Sequence, residues 1–408
     1  MADLLIERLG HRGDGVASFQ GRPVFVPYTL PGERIEAEVS GDRAVLGGII
    51  EASPDRVAPP CPQFGVCGGC VLQHLGAGPY AAFKRQLVVD ALADRGLAPP
   101  VEMPVIVPPN ARRRATMAGI MAGKRPIVGF HERASHQVVP IEVCFVVVPE
   151  ILAGKPALEA LTAAVSPRKQ PLDLTVTATT AGLDVALNGI VAADVDRLRM
   201  KLIDIAGQFD LARLSARGEA IVERRPPVVM IDEIAVVPPP GGFLQASAAA
   251  EAAMGDLVVA AVGKARKVAD LYAGVGTFAY RLARTATVTA AEGDAGAVNS
   301  LERGFRFAKG RNRIMAERRD LTRRPMVEKE LEGFDAVVFD PPRAGAAEQC
   351  QWIARSKVRT VVAVSCNPAT LARDLRILVD GGYRIESVTP IDQFLWSSHV
   401  EVVAVLRR

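Results

Sequence analysis

From Gln245 to the C-terminus, short apolar runs alternate with helix-forming stretches, and this alternation constrains the chain more than any other feature. An Ala-rich run, ASAAAEAAMGDLVVAAV, leads into VADLYAGVG, TVTAAEGD, FDAVVFDPP, VRTVVAVSC and SHVEVVAVL. Strands buried on both faces read as continuous Val and Ala, and strand-helix alternation winds them into a parallel sheet covered by helices. The expected fold of 241–408 is therefore α/β, a Rossmann-like doubly wound sheet. Ligands of such sheets bind outside the carboxyl ends of the strands, so the residues that end each run are candidate site residues.

The first run ends in a Gly-x-Gly turn, Gly274 to Gly276, where the backbone can approach a ligand and the next helix N-terminus is open to polar groups. The second ends in Glu292, where a carboxylate can take the two hydroxyls of a ribose. The third glycine of a dinucleotide site is missing, which favours an adenosyl ligand without a pyrophosphate. Asp320, in ERRDLT, follows the third strand within reach of an adenine or serves as a helix cap. Asp340 ends the fourth in Asp-Pro-Pro-Arg, at the crevice. Cys366 ends the fifth just before a helix, whose positive end is expected to lower the thiol pKa. Glu401 stands in the last run among apolar residues that are expected to raise its pKa.

The N-terminal 1–56 alternates short β-rich runs with turns at Gly13 to Gly15, Pro31-Gly32 and Gly47-Gly48, which predicts a small antiparallel barrel. Between barrel and sheet, 57–240 reads as a central α+β unit, with strands at LDLTVTAT and AGLDVALNG and a Pro-rich stretch from Pro99 to Pro109. Cys61, Cys67 and Cys70 lie in CPQFGVCGGC, and Cys144 follows in IEVC. Four cysteines without a nearby histidine suit zinc or an iron-sulfur cluster equally. Six cysteines in 408 residues do not make the disulfide framework of a small secreted domain. No run reaches the roughly 18 apolar residues of a membrane helix, and the chain reads as cytoplasmic. Net charge is only +4, but Arg112, Arg113, Arg114, Lys124, Arg125 and Arg133 form one basic stretch and Arg303 to Arg324 another.

With these motifs in place the chain resembles the bacterial RNA uridine-5-methyltransferase family, in particular its iron-sulfur members that act on 23S ribosomal RNA. GDGVASF with FVPYTLPGERIEAEV resembles the family's TRAM domain, an oligonucleotide-binding type of barrel; CPQFGVCGGCVLQH with IEVC resembles its four-cysteine site; FLQAS and VSCNPATLARD, with HVEVVAVL behind, resemble its donor and nucleophile motifs. The resemblance implies Cys366 as nucleophile and Glu401 as base. It implies S-adenosylmethionine as donor, with contacts from Gln245, Tyr272, Thr277, Glu292, Asp320 and Asp340. It further implies a [4Fe-4S] cluster on Cys61, Cys67, Cys70 and Cys144.

The implied partner is RNA, 23S ribosomal RNA first and the transfer RNA T-loop second, with no membrane and a monomeric chain. The sequence departs from the family where Thr277 replaces the usual Asn and where Asp-Pro-Pro-Arg replaces Asp-Pro-Ala-Arg. The N-terminal sixty residues are on balance acidic, so the two basic stretches are expected to carry much of the phosphate contact. Two rival readings fit the residues less well. A cytosine-5 methyltransferase would carry a second cysteine where Pro342 stands, and a non-catalytic iron-sulfur RNA-binding protein would have no use for Cys366, Glu401 and Gln245 together.

Overall fold

In the computed structural model, which describes residues 1–165 and 171–408, the chain opens with β1 (Ala2–Leu9), β2 (Gly15–Phe19), β3 (Arg22–Val26), β4 (Arg34–Ser40) and β5 (Arg43–Glu51). In β4 Ile35 and Ala37 point inward while Glu36 and Glu38 face solvent, the period-2 pattern of a half-buried strand. The five strands close in the order β1-β2-β3-β5-β4 around Leu4, Ile6, Val24, Val26, Ile35 and Ala37. Closure departs from the antiparallel expectation at one seam, where β3 meets β5 in parallel through Phe25 and Arg43.

The middle of the chain contributes α1 (Ala77–Ala93), β6 (Val105–Ile106), β7 (Arg114–Ala122), β8 (Arg125–His131), β9 (Val138–Pro140), α2 (Pro149–Ala153), α3 (Lys155–Val165), β10 (Leu172–Thr179), β11 (Gly182–Asn188), α4 (Ala192–Gln208), β12 (Arg213–Ala216) and β13 (Glu219–Glu223). Seven strands form one sheet, β13-β12-β11-β10-β7-β8-β9, with the two strands read from sequence as the antiparallel pair β10 and β11. Leu158 and Leu161 of α3 and Leu198 and Leu202 of α4 pack on its apolar face with Leu174, Val176 and Val185. A hairpin, β14 (Val229–Ile231) and β15 (Ile234–Val236), follows.

The remainder is α5 (Ala248–Val262), β16 (Lys267–Leu271), α6 (Ala279–Leu282), β17 (Thr287–Glu292), α7 (Ala295–Arg306), β18 (Ile314–Arg318), α8 (Glu328–Leu331), β19 (Ala336–Phe339), α9 (Ala347–Arg355), β20 (Thr360–Ser365), α10 (Pro368–Asp380), β21 (Arg384–Asp392) and β22 (Glu401–Arg407). These strands order as β18-β17-β16-β19-β20-β22-β21, the first five parallel and β22 and β21 antiparallel to their neighbours. Successive residues of β20 serve opposite cores, Val362 and Val364 one and Val361 and Ala363 the other, which is why the strand reads as unbroken apolar sequence.

The sequence assigned 77–106 to the central unit, but these residues pack with the C-terminal sheet. β6 adds an eighth strand beside β21, and Val88 and Leu92 of α1 share a core with Leu371, Leu375 and Leu378 of α10. A two-residue strand between prolines carries no periodicity, so β6 is invisible in the sequence. Among the described residues no helix is long and apolar enough to cross a membrane.

Candidate active site and cysteine cavity

The carboxyl edge of the parallel strands gathers the residues singled out above. After β16 the chain turns through Tyr272 (φ 61°), Gly274 (φ 56°) and Gly276 (φ 102°), all in the left-handed region. A Cβ on Gly276 would lie 2.6 Å from the Tyr280 ring, so the turn closes only with glycine there. Thr277 is buried directly behind it. Glu292, at the end of β17, accepts from the amide of Gly274 at 2.9 Å and from that of Asp294 at 2.8 Å, which ties the first two strand ends together. Asp270 is buried behind the turn; loss of water, then the neighbouring Asp340, push its carboxyl well up. Asp320 is exposed and sits in a local turn, its Oδ1 accepting from the Thr322 amide at 3.0 Å and hydroxyl at 2.6 Å. Those bonds, more than Arg323, hold its carboxyl below the usual value.

On the other side of the edge, a chain of amides joins two carboxyls. Gln245 Nε2 donates to Asp340 Oδ2 at 2.9 Å, Gln393 Nε2 donates to Gln245 Oε1 at 2.9 Å, and the same Nε2 donates to Glu401 Oε1 at 2.8 Å. Gln245, Gln393 and Glu401 are all buried. Burial, and then the charge of Asp340, push the Glu401 carboxyl up, while the Gln393 amide opposes them. Arg113 braces this side, donating to the Gln245 carbonyl and pairing at 2.6 Å with the buried Glu251.

Cys366 follows β20 directly and is half-buried, with Asn367 capping α10 through the Ala369 amide at 3.2 Å. Its thiol departs from the expectation of a lowered pKa. Burial first, then Glu401 and Asp340, push it up to about 11, and the exposed Arg343 pulls only partly the other way. The helix end was legible in the sequence, whereas two carboxylates folding against the same thiol were not. Gln393 was missed altogether; its only signal is a polar residue placed where β21 ends.

Four arginines of the two basic stretches are committed within the fold. Arg113 is on Glu251, Arg133 on the buried Asp14, Arg311 on the buried Asp232 and Arg319 on Glu330. The stretches therefore offer less free positive charge than their composition suggests.

The loop 393–399, between β21 and Glu401, is held from below. Lys84 and Tyr80 of α1, both buried, bond the two oxygens of Asp392 at 2.7 and 2.5 Å, and Lys84 also donates to the His399 carbonyl. The Trp396 carbonyl accepts from the Val71 and Leu72 amides at 2.8 and 3.1 Å, just beyond Cys70. Arg112 lies over the Phe394 ring at 5.6 Å. It also lines a cavity of about 260 Å³ together with Cys61, Cys67, Cys70 and Cys144.

Gly68 lets the cysteine loop press against the chain at His131, whose carbonyl a Cβ would meet at 2.8 Å. Burial, and then the other thiols, push Cys70 up to about 12; Cys67 is raised for the same first reason. Among the described residues no group of three or more His, Cys, Asp or Glu side chains is arranged to hold a metal ion.

The family model described as tRNA (Uracil-5-)-methyltransferase matches residues 233–408, and the TRAM domain model matches residues 2–44. An uncharacterized RNA methyltransferase of Rhizobium meliloti (strain 1021) is 49% identical over 99% of this chain and 98% of its own length. The 23S rRNA (uracil(1939)-C(5))-methyltransferase RlmD of Chromohalobacter salexigens is 33% identical over 99% of this chain and 89% of its own length. The chain belongs to the RNA uracil-5-methyltransferase family. Its fold is similar throughout to the Pyrococcus abyssi tRNA (uracil-54, C5)-methyltransferase, solved with S-adenosyl-L-homocysteine, with a TM-score of 0.75 at 24% identity over 99% of both chains. The barrel is thus the chain's TRAM domain, and the C-terminal sheet has the methyltransferase fold. All four cysteines of the cavity fall between the two matched segments.

Proposed function

We propose that the chain transfers the methyl group of S-adenosylmethionine to carbon 5 of a uridine in 23S ribosomal RNA, with Cys366 as nucleophile and Glu401 as base. The observation that carries this reading is the convergence at one sheet edge of Asp340 after β19, Cys366 after β20 and Glu401 at the start of β22, on neighbouring strands, with Gln245 and Gln393 bridging the two carboxyls. The family and the named 23S rRNA relative support the RNA and the base.

S-adenosylmethionine, when bound, supplies an electrophilic methyl on a sulfonium. The crevice fits an adenosyl ligand: Glu292 offers acceptors for ribose hydroxyls beside the glycine turn from Ala273 to Thr277. Gln245, Tyr272, Thr277, Glu292, Asp320 and Asp340 would hold it.

Carbon 5 of uracil is a weak nucleophile. Addition of the Cys366 thiolate at carbon 6 forms an S–C6 bond and moves the C5=C6 pair into an enolate, so carbon 5 can take the methyl. Glu401 then removes the remaining carbon-5 proton. That C–H pair restores the double bond, the S–C6 bond breaks, and the thiolate leaves. Arg343 is the cation whose field favours the thiolate against the two carboxylates. The target base must leave its stack to reach Cys366.

A [4Fe-4S] cluster on Cys61, Cys67, Cys70 and Cys144 completes the reading, as a structural staple. The side chains do not fit a single ion, but a cluster spaces its thiolates around a larger body, and the four line one cavity beside the positive Arg112.

The test is mass-spectrometric nucleoside mapping of ribosomal and transfer RNA from cells with and without the protein. Loss of a 5-methyluridine from 23S RNA supports the reading; loss from transfer RNA alone keeps the chemistry and moves the substrate to transfer RNA, the RNA named for the Pyrococcus abyssi enzyme. Cys366→Ala should abolish turnover while donor binding remains measurable, and Glu401→Gln should trap an RNA-protein adduct that survives denaturation.

A further inference from the structure

The side-chain amide of Gln393 is fully committed. Its Oε1 accepts from the Ala246 amide at 3.1 Å, which fixes the donor end, and its Nε2 then serves both Glu401 and Gln245. Gln245, with its oxygen occupied in this way, must turn its own Nε2 toward Asp340. Gln393 is 3% exposed and directly follows Asp392, which Lys84 and Tyr80 hold, so it has no freedom to swing away.

We infer that Gln393 is a positioning residue for the base: it holds one oxygen of Glu401 and keeps the carboxylate form available, leaving the other oxygen to take the carbon-5 proton. The inference rests on the reading of Glu401 as base. The groups that surround Glu401 make such a donor necessary. Asp340 after β19 and Cys366 after β20 both disfavour a second negative charge, and Asp270 stands behind Asp340. The nearby cations are the exposed Arg343 and, around His399 on Glu401's own loop, Lys84 and Arg112. None of these donates a hydrogen bond to Glu401, whereas Gln393 does. A hydrogen bond donated to a carboxylate stabilises its charged form. Removing the donor leaves Glu401 protonated over a wider pH range, and a protonated carboxyl cannot accept the proton whose departure releases the enzyme.

The experiment uses the full-length protein, isotopically labelled S-adenosylmethionine and total RNA from cells lacking the protein, with covalent adduct read on denaturing gels across a pH series. Gln393→Met and Gln393→Leu keep much of the side-chain volume without the donor. Both are expected to lengthen adduct lifetime at neutral pH by about tenfold, the effect of one pKa unit. Turnover should recover as pH rises. Wild-type lifetime and pH profile in both variants would overturn the inference, as would a loss of turnover by one factor at every pH. Should Glu401→Gln trap no adduct, the base assignment itself fails and takes the inference with it. Adduct in Glu401→Gln beside wild-type behaviour in the Gln393 variants sinks only the role of Gln393.

Discussion

The two polar centres of this protein are built on opposite plans. At the sheet edge Gln245, Gln393, Glu401 and Asp340 satisfy one another through amides that each have one workable orientation, so the chain alone arranges them. In the cysteine cavity the main internal bonds to the loop are backbone ones, and thiol faces thiol. Partly buried thiols gathered at one cavity without hydrogen bonds among them are held together there by the surrounding backbone. The first centre is therefore held by the chain's own side chains, whereas the second is the place where the proposed cluster would be needed. The 393–399 loop touches both, through Trp396 and Phe394 on one side and Glu401 on the other.

The contrast can be broken at its strongest point by taking ligands from the cavity. Cys70→Ala or Cys144→Ala, purified without oxygen, should lose essentially all of the roughly four iron and four sulfide expected per chain. Iron and sulfide analysis with visible absorption decides it, and zinc in place of iron would refute the cluster while keeping the cavity. Next in size is the brace between the two centres. Lys84→Met leaves Asp392 buried beside Tyr80 without its cation and should cost about 3–5 kcal/mol in denaturant unfolding, the range for breaking a buried ion pair.

Smaller, and specific to the sheet edge, is the titration of Cys366. A folded pKa near 11 means a neutral thiol at neutral pH, so alkylation of this cysteine in the RNA-free protein should be slow. It should rise roughly tenfold per pH unit below that value. Smallest of all, Glu401→Gln removes one of the two carboxylates that raise the thiol. Alkylation at a given pH should then quicken only about severalfold, because burial, the first cause, remains.

Much of the architecture was legible because it is written in period and punctuation. The strand ends Glu292, Asp340 and Cys366 declared themselves by following apolar runs, and the barrel by its turn signals. What escaped was whatever depends on long-range meeting. β6 was hidden between prolines, and the thiol of Cys366 is raised by burial and then by two carboxylates, from β22 and the β19 loop, that only the fold brings near. Gln393 is joined to the donor side only through Gln245, 148 residues earlier in the chain. Arg113, Arg133, Arg311 and Arg319 looked like free positive charge because their carboxylate partners lie in other segments, three of them buried.

The eighth strand has a consequence for how the protein is made. Residues 77–106 are synthesised long before β21, the strand that β6 will border and whose helix layer α1 will join. During translation this segment must wait without its partners while the seven-stranded sheet folds between. A chain cut at residue 241 would leave the β21 edge bare, with main-chain groups ready to pair with another molecule. The methyltransferase unit is thus continuous in space but split in the gene, and excising it as a fragment should yield aggregates rather than a smaller enzyme.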